Sequence, residues 1–583
     1  MLVVATAGHV GHGKSTLVRA LAGMEPGGLT LDLAFAWTEL ATGEGLALVD
    51  VPGHERLLTT MLAGAGPVPA VLLAVAADEG WMPQTEEHLG AVDALGVRHG
   101  VLVVTRSDVA DPKLALRQAR DRLATTGLKG IEAVTVSAVT GAGLDELRAA
   151  LVRLAARVPA PDPAAPVRLW IDLAFTEPGG GTVVTGTLPA GTVAADDELL
   201  LLPAGDRVRV RAVEVAERPA ESVSGVARVA LDLSGVPRER VARGMVLATP
   251  GGWALTSTVD VRIRFAEASG RLSRQMTLHI GAAAVPVRLR PLGPDTARLT
   301  LNARLPLHVG DTALLRDPER RLMAGVSVLD VRPPALVRKG AAAARARELA
   351  TWPDTPDGGV VLRRHGVLRL SELALMGCAP PRGAVILDDW AADPDHWRDL
   401  YKRLTDELAH HAETHPLTPG LNVEAARLRL GLPTRQLVIA LARPPLRLAD
   451  GRLYGPSGPV PPQVTAAVAR LGEHLASPFQ APTPERLAEL GLTGEVLDTA
   501  TRIGAVLRLG GDVVLLPGAD RQALRVLSGL AQPFSAEQAR QALGTTRRVA
   551  LALLEHLDAQ GRTHRTGNDR RVPDGPPSPP KMD

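Results

Sequence analysis

Residues 8–15 read Gly8-His9-Val10-Gly11-His12-Gly13-Lys14-Ser15 and fit the pattern G-x-x-x-x-G-K-[ST]. An apolar run, Leu2 to Ala7, precedes this stretch, and a helical pattern, Thr16 to Leu21, follows it. Glycines let successive backbone N–H groups turn toward one anion, and a helix N-terminus adds a positive dipole end. A strand, loop and helix in this order predict a phosphate-binding loop. The alternative is a plain glycine-rich turn, and the full eight-residue match argues against it.

Each part of such a loop has its own chemistry. The backbone from Gly8 through Thr16 would surround the phosphates of a nucleotide. The Lys14 ammonium would reach the β- and γ-phosphates, and the Ser15 hydroxyl would ligate Mg²⁺. The predicted phosphate-binding residues are therefore Gly8, His9, Val10, Gly11, His12, Gly13, Lys14, Ser15 and Thr16.

A second motif, Asp50-Val51-Pro52-Gly53-His54-Glu55, follows the apolar run Leu46–Val49. Asp50 would hold Mg²⁺ through water, and the Gly53 N–H would contact a γ-phosphate, which makes the contact a switch between triphosphate and diphosphate. His54 would position the attacking water as the catalytic residue. A Pro-Gly turn with an exposed histidine is the plainer alternative, and the loop upstream makes it the weaker one.

Two further segments predict recognition of guanine. Thr105-Arg106-Ser107-Asp108 follows the apolar run Gly100–Val104, and Ser137-Ala138-Val139 follows Ala133–Val136. A carboxylate at Asp108 can accept hydrogen bonds from guanine N1–H and N2–H₂, a donor pair that adenine lacks. Arg106 would lie flat over the base, and Ser137 to Val139 would add backbone contacts. The predicted guanine-binding residues are Thr105, Arg106, Asp108, Ser137, Ala138 and Val139, and the predicted ligands are GTP and GDP with Mg²⁺.

Composition limits the remaining possibilities. The chain has 583 residues, with 65 Lys+Arg against 63 Asp+Glu, so a surface for nucleic acid must be local. Its single cysteine, Cys378, excludes an internal disulfide framework and is typical of a reducing cytoplasm. No signal peptide and no membrane-length apolar run are evident. Aromatic residues make up 2% of the chain, so contacts to RNA would depend on arginine and backbone groups.

The pattern along the chain predicts several domains. Residues 1–160 alternate short apolar runs with helical patterns, which indicates an α/β nucleotide-binding domain with a parallel sheet. A Pro/Ala linker follows, and then short period-two runs predict two β-barrels, at 167–250 and 253–335. A tail at 576–583 is rich in proline and is predicted to be disordered.

From residue 336 onward, helical patterns alternate with short hairpin signals. Asp388, Asp450, Asp512 and Asp569 mark hairpins spaced by 62, 62 and 57 residues. This period predicts four winged-helix modules in series, at 336–395, 396–456, 457–518 and 519–575. The alternative is an all-helical tail with chance Asp-Gly turns.

The nucleotide motifs in this order resemble those of translational GTPases, and three other stretches narrow the resemblance to the family of selenocysteine-specific elongation factors, or SelB. Leu29 to Trp37 is similar to the family's switch-I segment, in which Thr30 would be a Mg²⁺ ligand. Arg168 to Asp172 with Gly181 to Thr187 is similar to the start of its second domain. Thr545 to Arg565 is similar to its last winged-helix module. The resemblance spans nearly the whole chain and includes the order of the domains.

The resemblance implies an activity and a set of partners. Members of this family carry selenocysteinyl-tRNA to the ribosome with GTP bound, hydrolyse the GTP there, and bind a hairpin in the selenoprotein mRNA, so that UGA is read as selenocysteine. We therefore expect these partners, a monomer, a cytoplasmic location and no membrane. Hydrolysis would be stimulated by the ribosome.

The last module, 519–575, is arginine-rich on an otherwise nearly neutral chain. Arg547 and Arg548 would lie near the start of a recognition helix, and Arg570 and Arg571 on a wing, an arrangement that fits RNA phosphates and a splayed base. A solvated basic face is the alternative. The predicted mRNA-binding residues are Arg547, Arg548, Arg562, Arg565, Arg570 and Arg571.

The family's amino-acid pocket lies between its first two domains. A selenol ionises readily, so a cationic lining would favour it over a serine hydroxyl. Arg243, in Val241-Ala242-Arg243-Gly244, is the candidate for that lining, and a surface arginine before a turn is the alternative.

Three features depart from the family pattern. Gly11 replaces an aspartate of the phosphate loop, the segment between Ser15 and Thr30 is short, and Arg106 replaces a lysine. We expect retained GTP binding with weakened hydrolysis. Two other functions stay open: a tether that holds nucleotide while its tail binds RNA, and a general translation GTPase whose tail binds protein.

Overall fold

The computed structural model describes residues 1–23, 34–50, 68–176, 181–265, 272–317, 323–418, 420–456 and 460–573. The chain divides into two compact units, Met1–Asp393 and Pro394–Asp583. Within the described residues, no helix is both long and apolar enough to cross a membrane. The predicted disordered tail, 576–583, lies outside the described residues.

The first domain is a six-stranded sheet with the order β2-β3-β1-β4-β5-β6. Its strands are β1 (Leu2–Ala7), β2 (Ala34–Glu39), β3 (Gly45–Asp50), β4 (Ala70–Ala76), β5 (His99–Thr105) and β6 (Glu132–Thr135). Its helices are α1 (Lys14–Ala22), α2 (Pro83–Ala94), α3 (Lys113–Leu123) and α4 (Leu144–Arg157). Strand β2 was not predicted as a strand. It pairs antiparallel with β3 at the edge of an otherwise parallel sheet.

Helices cover both faces of this sheet. Apolar side chains of α1 and α4 pack with one set of strand residues, among them Val4 and Leu72. Apolar side chains of α2 and α3 pack with the alternate set, among them Val3 and Leu73. Because successive strand residues point to opposite faces, both sets are buried, and this explains the nearly continuous apolar runs of the sequence.

The second domain is a β-barrel. Its elements are β7 (Arg168–Thr176), β8 (Thr182–Leu188), β9 (Thr192–Ala194), β10 (Glu198–Leu202), β11 (Asp206–Val215), β12 (Arg218–Ala220), β13 (Ser222–Ser224), β14 (Ala227–Ser234), a 3₁₀ turn (Arg238–Arg240) and β15 (Val246–Ala248). Six strands follow one another in the order β10-β15-β7-β8-β14-β11, and pairing of β10 with β11 closes the ring.

The third domain is a second closed barrel, with the order β16-β19-β18-β17-β20-β21. Its strands are β16 (Ala254–Phe265), β17 (Gln275–Ile280), β18 (Ala283–Pro291), β19 (Thr296–Leu307), β20 (Thr312–Arg316) and β21 (Met323–Asp330). Buried and exposed residues alternate along β18 from Ala283 to Arg290, which is the period-two pattern seen in the sequence. The two predicted barrels are confirmed.

Both barrels contact the first domain. The Thr312 hydroxyl of β20 donates a hydrogen bond to the Leu95 carbonyl oxygen, at 2.8 Å. The Arg228 guanidinium of β14 lies over the Phe35 ring of β2, with 3.8 Å from its central carbon to the ring centroid.

Helices followed by a β-hairpin recur four times after the second barrel, as the sequence predicted. The first set is α5 (Ala341–Ala350), α6 (Gly358–His365), β22 (Val367–Arg369), α7 (Leu370–Leu375), β23 (Val385–Leu387) and β24 (Trp390–Ala392). The second is α8 (Pro394–Thr414), β25 (Leu421–Asn422), α9 (Val423–Leu430), α10 (Arg435–Leu441), β26 (Arg447–Ala449) and β27 (Arg452–Tyr454).

The third set is α11 (Pro462–His474), α12 (Pro484–Glu489), α13 (Gly494–Arg502), β28 (Leu507–Leu509) and β29 (Val513–Leu515). The fourth is α14 (Ala519–Ser528), β30 (Phe534–Ser535), α15 (Ala536–Ala542), α16 (Arg547–Ala559), β31 (His564–Thr566) and β32 (Asp569–Arg571). The turn residues Asp388, Asp450 and Asp512 have φ of 50°, 50° and 55°. Aspartate tolerates this left-handed conformation, which explains why the same residue type marks three of the hairpins.

A buried ionic cluster joins the second barrel to α5. Arg345 of α5 donates to Asp260 of β16 at 2.7 Å and also pairs with Asp330 of β21. Arg298 forms two hydrogen bonds with Asp260, and Arg364 of α6 donates to Asp330 at 3.2 Å. Since both aspartates are buried, removing the arginines of α5 and α6 would leave negative charge uncompensated at this edge of the barrel.

Candidate functional site

The loop between β1 and α1 passes through positive-φ conformations that favour glycine. Gly8, Gly11 and Gly13 have φ of 131°, 80° and 75°. A Cβ on Gly8 would lie 2.2 Å from the carbonyl oxygen of Ala74, inside the backbone of β4. The spacing of glycines in the motif therefore follows from positive φ and close packing.

The lysine of the loop lies across its opening. The Lys14 ammonium donates to the carbonyl oxygens of Gly8, at 2.9 Å, and of His9, at 2.8 Å. Burial lowers the pKa of Lys14 to about 8, and the negative charge of Asp50 opposes that shift. A bound anion beside this ammonium would oppose the effect of burial in the same way and raise the pKa of Lys14.

Helix α1 begins directly behind the loop. Gly13 is its N-cap, and among the described residues no side chain caps the first turn. The backbone N–H groups of that turn, which include those of Ser15 and Thr16, are thus directed toward the loop, as anion binding requires.

Asp50 lies at the end of β3, next to β1. It is buried, and the Thr6 hydroxyl donates to its carboxylate at 3.0 Å. Because β1 and β3 are parallel neighbours, Asp50 lies at the same edge of the sheet as the loop. The other residues predicted around the γ-phosphate and the metal, Thr30, Gly53 and His54, lie outside the described residues.

The two segments predicted to bind guanine end neighbouring strands and are joined. The Ser107 N–H donates to the Val136 carbonyl oxygen at 3.2 Å, and the Ser137 hydroxyl accepts from the Thr140 N–H at 3.1 Å. Asp108 and Val139 are exposed, whereas Ser137 is buried and holds the second loop in shape. The carboxylate of Asp108 is accessible to a base.

Thr105 and Arg106 tie this region to the phosphate loop. The Thr105 hydroxyl donates to the His12 carbonyl oxygen at 2.8 Å. Arg106 pairs with Asp78 and Glu79, at 2.8 Å each, and its other guanidinium nitrogen donates to the Gly11 carbonyl oxygen. The guanidinium therefore bridges an acidic pair and the loop.

Sequence reasoning missed two residues of α2 that bind the loop backbone. His88 Nδ1 accepts from the Gly8 N–H at 3.0 Å, and the Gln84 side-chain oxygen accepts from the Val10 N–H at 3.1 Å. Their i, i+4 spacing places both on one face of the helix, a signal that the sequence does contain. A buried polar residue on the core-facing side of a helix could have drawn attention to His88.

Two buried histidines near the loop are held neutral. Burial lowers the pKa of His12 to about 4 and that of His88 to about 3. The His12 ring lies 3.3 Å from the Ala74 carbonyl oxygen and 3.7 Å from the Glu79 carboxylate. Because both rings are neutral, neither places a second positive charge beside the Lys14 ammonium.

Arg243 lies on the loop before β15. It is exposed, and the following residue, Gly244, donates its N–H to the Ile171 carbonyl oxygen at 2.8 Å. A Cβ on Gly244 would lie 3.1 Å from the Ala283 Cα, so this loop runs close to the second barrel. The guanidinium of Arg243 is accessible from solvent.

The last module presents arginines from a helix start and a hairpin. Arg547 is the first residue of α16, and Arg548 follows it with a hydrogen bond to the Pro482 carbonyl oxygen at 3.3 Å. Arg562 precedes the hairpin. The exposed members of the predicted set are Arg547, Arg548, Arg562, Arg565 and Arg571.

Arg570 differs from that expectation. Its side chain is 3% exposed, and its Nε donates to the Asp558 carboxylate at 2.8 Å. In a strand, neighbours point to opposite faces, so Arg570 and Arg571 cannot both face one ligand. The prediction of Arg570 as an RNA contact is corrected to an internal ion pair.

The residues present fit a nucleotide with a magnesium ion. The loop glycines, the α1 N-terminus and Lys14 form an anion site, while Ser15 and the buried Asp50 supply the hydroxyl and carboxylate oxygens that Mg²⁺ prefers. Asp108 and the backbone at Ser137 to Val139 stand at the ends of β5 and β6, where an open α/β sheet binds ligands.

Two known families match parts of the chain. Residues 23–157 match the family described as the elongation factor Tu GTP-binding domain. Residues 525–572 match the family described as elongation factor SelB, winged helix. The first match covers most of the α/β domain, and the second covers most of the last module.

Curated relatives agree with both matches. A selenocysteine-specific elongation factor of Desulfomicrobium baculatum is 39% identical over 43% of this chain and 41% of its own length. One of Haemophilus influenzae is 30% identical over 73% of this chain and 72% of its own length. One of Escherichia coli strain K12 is 28% identical over 98% of this chain and 99% of its own length.

A solved structure shares the fold along the full length. The crystal structure of a bacterial selenocysteine-specific elongation factor, EF-Sec, superposes with a TM-score of 0.67 at 23% identity, covering 98% of this chain and all of that one. The GTP-binding domain and these relatives make the chain a translational GTPase that binds GTP and GDP. With the Haemophilus influenzae relative matched over most of its length, the chain belongs to the family of selenocysteine-specific elongation factors.

Proposed function

We propose that this GTPase delivers selenocysteinyl-tRNA to the ribosome at UGA codons and binds a selenoprotein mRNA hairpin through its last module, 519–575. The observation that carries the proposal is the alignment of 98% of the chain with the Escherichia coli factor, which joins the nucleotide site and the arginine-bearing module in one polypeptide. We assign residues 1–160, 167–250 and 253–335 to the nucleotide domain and the barrels, and 336–395, 396–456 and 457–518 to the remaining winged helices. We propose that the protein carries out this delivery as a monomer in the cytoplasm.

In the proposed nucleotide complex, each residue has a defined task. The backbone of residues 8–16 and the Lys14 ammonium bind the phosphates, and Ser15 with Asp50 holds Mg²⁺, whose charge offsets that of the β- and γ-phosphates. Thr30, Gly53 and His54 would complete this set around the γ-phosphate. Asp108 selects guanine by accepting from its N1–H and N2–H₂ groups.

Gly11 is proposed to weaken hydrolysis. It has φ of 80°, and the atom nearest to an added Cβ is a guanidinium nitrogen of Arg106, 3.8 Å away. Aspartate tolerates this conformation and has room there, so Gly11→Asp would restore the family's carboxylate. We expect faster single-turnover hydrolysis on ribosomes in Gly11→Asp, and equal rates would refute this part.

Arg243 is proposed as the cationic group that favours a selenolate over a serine hydroxyl. Its exposed guanidinium stands on a loop close to both barrels. We expect Arg243→Ala to lose most of the preference for selenocysteinyl- over seryl-tRNA, with GTP affinity unchanged. An unchanged preference for selenocysteinyl-tRNA would show that Arg243 is a surface arginine with no part in the pocket.

The decisive experiment is a binding competition. The full chain with GTP is offered selenocysteinyl-, seryl- and other aminoacyl-tRNAs, and we expect strong preference for the first. GTP hydrolysis with and without ribosomes then separates a delivery factor, which responds to ribosomes, from an RNA-binding tether, which does not. Equal binding of all tRNAs would overturn the proposal.

A further inference from the structure

Helix α2 touches the phosphate loop at one end and the second barrel at the other. Near its start, Gln84 and His88 accept hydrogen bonds from the N–H groups of Val10 and Gly8. At its end, Ala94 and Leu95 lie against the barrel. Twelve residues of helix therefore connect two sites in different domains.

The contact at the loop is a buried acceptor that the loop backbone requires. Gly8 and His88 are both buried, so the Gly8 N–H depends on this ring nitrogen. Apart from that of Val10, which Gln84 accepts, the other N–H groups of the loop are proposed to bind phosphate, so an acceptor from behind the loop is needed to hold its shape. The low pKa of His88, about 3, keeps the ring neutral at neutral pH, and the Gly8 N–H directed at Nδ1 selects the tautomer that carries its proton on Nε2.

The contact at the barrel is tight backbone packing. A Cβ on Gly325 of β21 would lie 2.8 to 2.9 Å from Ala94 atoms, including its carbonyl oxygen. The Thr312 hydroxyl donates to the Leu95 carbonyl oxygen at 2.8 Å. The side chain of Leu314 is fully buried in the same apolar cluster as Leu89 of α2. A helix held this closely moves when the barrel moves.

We propose that α2 braces the phosphate loop, with His88 and Gln84 as positioning residues, and that barrel docking at Ala94 and Leu95 slows the release of bound nucleotide. Where slower release reflects tighter binding, the coupling free energy is reciprocal, so bound nucleotide would also strengthen barrel docking. The inference rests on guanine nucleotide binding at the loop. In this proposal His88 and Gln84 do not contact the nucleotide themselves. They act through the loop backbone, which does contact it.

The test is the release of a fluorescent GDP analogue from the full chain, measured by stopped flow. His88→Leu removes the acceptor and leaves the Gly8 N–H buried, so release should accelerate roughly tenfold or more. His88→Asn keeps an acceptor atom on Cγ and should stay within about threefold of the wild type. A His88→Asn protein that releases GDP as fast as His88→Leu would overturn the acceptor role.

Gln84→Ala gives a second measurement at a half-buried site. It should accelerate release about threefold or more, while Glu87→Ala, exposed on the same helix, should not. If His88→Leu fails to fold, as judged by circular dichroism, Gln84→Ala and His88→Asn decide the question. Wild-type release rates in both Gln84→Ala and His88→Leu would refute the brace.

The barrel end is tested with Thr312→Val. Losing the hydrogen bond to Leu95 should accelerate GDP release about twofold to fivefold, whereas Thr300→Val, exposed on β19, should leave it unchanged. Equal rates in both variants would refute the coupling to the barrel. Failure of the wild-type chain to bind the analogue at all would instead refute nucleotide binding, so the two failures are distinguishable.

Discussion

The phosphate loop and the arginine surface of the last module recognise charge in opposite ways. In the loop, binding groups are backbone N–H groups whose directions depend on glycines at φ of 131°, 80° and 75°. In the last module, binding groups are exposed side chains, among them Arg547 and Arg565, on elements that would form without them. The first site should therefore fail as a whole when a closely packed residue such as Gly8 changes, and the second should weaken in steps.

The sharpest way to break this comparison is Gly8→Ala. An added Cβ would lie 2.2 Å from the Ala74 carbonyl oxygen, so the loop must move and GTP affinity should fall roughly a thousandfold or more. Gly43→Ala is the matched control, because Gly43 has φ of 79° with nothing within 4 Å of its Cβ. It should cost about 1 kcal/mol of stability and no affinity. Titration with a fluorescent GTP analogue measures the affinity of both variants. Similar losses of affinity in Gly8→Ala and Gly43→Ala would contradict the packing argument.

Acid should destabilise one of the two units of the chain more than the other. The pKa values of His12 and His88 fall from 6.5 to about 4 and about 3 on folding, so unfolding takes up protons below pH 6.5. Stability is complete above pH 6.5 and is lost as pH falls toward 4 and 3. At pH 5 the loss is on the order of 2 kcal/mol for each histidine.

Calorimetric scans at pH 7 and pH 5 check this expectation. The transition of the Met1–Asp393 unit should shift down more than that of the Pro394–Asp583 unit, where exposed histidines such as His564 predominate. His88→Asn should reduce the shift. Equal shifts of both transitions would show that His12 and His88 do not govern acid stability.

Asp108→Asn tests whether the base site depends on side chains, unlike the phosphate site. An amide cannot accept from both guanine N1–H and N2–H₂, so GTP affinity should fall roughly a hundredfold. Val139→Ala is the control, because its 82% exposed side chain leaves the proposed backbone contacts intact. Its affinity should match the wild type. Competition between GTP and XTP measures selectivity, and an unchanged preference in Asp108→Asn would remove Asp108 from the site.

The smallest expected effects separate two arginines that face each other across one hairpin. Arg565→Ala should weaken mRNA-hairpin binding about threefold to tenfold and lower the salt slope by about one, as for a phosphate contact. Arg570→Ala should instead cost about 2 kcal/mol of stability, because Asp558 loses its buried partner. Filter binding at several salt concentrations and thermal melts measure these outcomes. If Arg570→Ala weakened RNA binding without lowering stability, Arg570 would have to be counted as an RNA contact.

Sequence predicted the elements that carry periodic or punctuated signals. The phosphate loop, the parallel strands and the hairpins at Asp388, Asp450 and Asp512 follow from local patterns, and the structure has them at those places. Strand β2 was missed because Ala34–Glu39 is an edge strand whose pairing with β3 is set by the sheet.

The rest of the site depends on contacts between residues distant in sequence. His88 lies 80 residues from Gly8, and Arg106 lies 95 residues from Gly11, so no local pattern joins either pair. Arg570 was misplaced for a different reason. Composition counts arginines without regard to the face on which each lies, and the alternation within β32 was the signal that could have corrected it.

The cluster around Arg345 has a consequence for how this protein can be divided. A chain cut after Pro334 would keep all six strands of its second barrel, yet Asp330 would lose both Arg345 and Arg364 and keep the backbone N–H of Arg332. Truncation at the apparent domain border would thus leave this carboxylate without the two arginines that neutralise it. The better place to divide the chain is near Asp393, where the first compact unit ends with both arginines inside it.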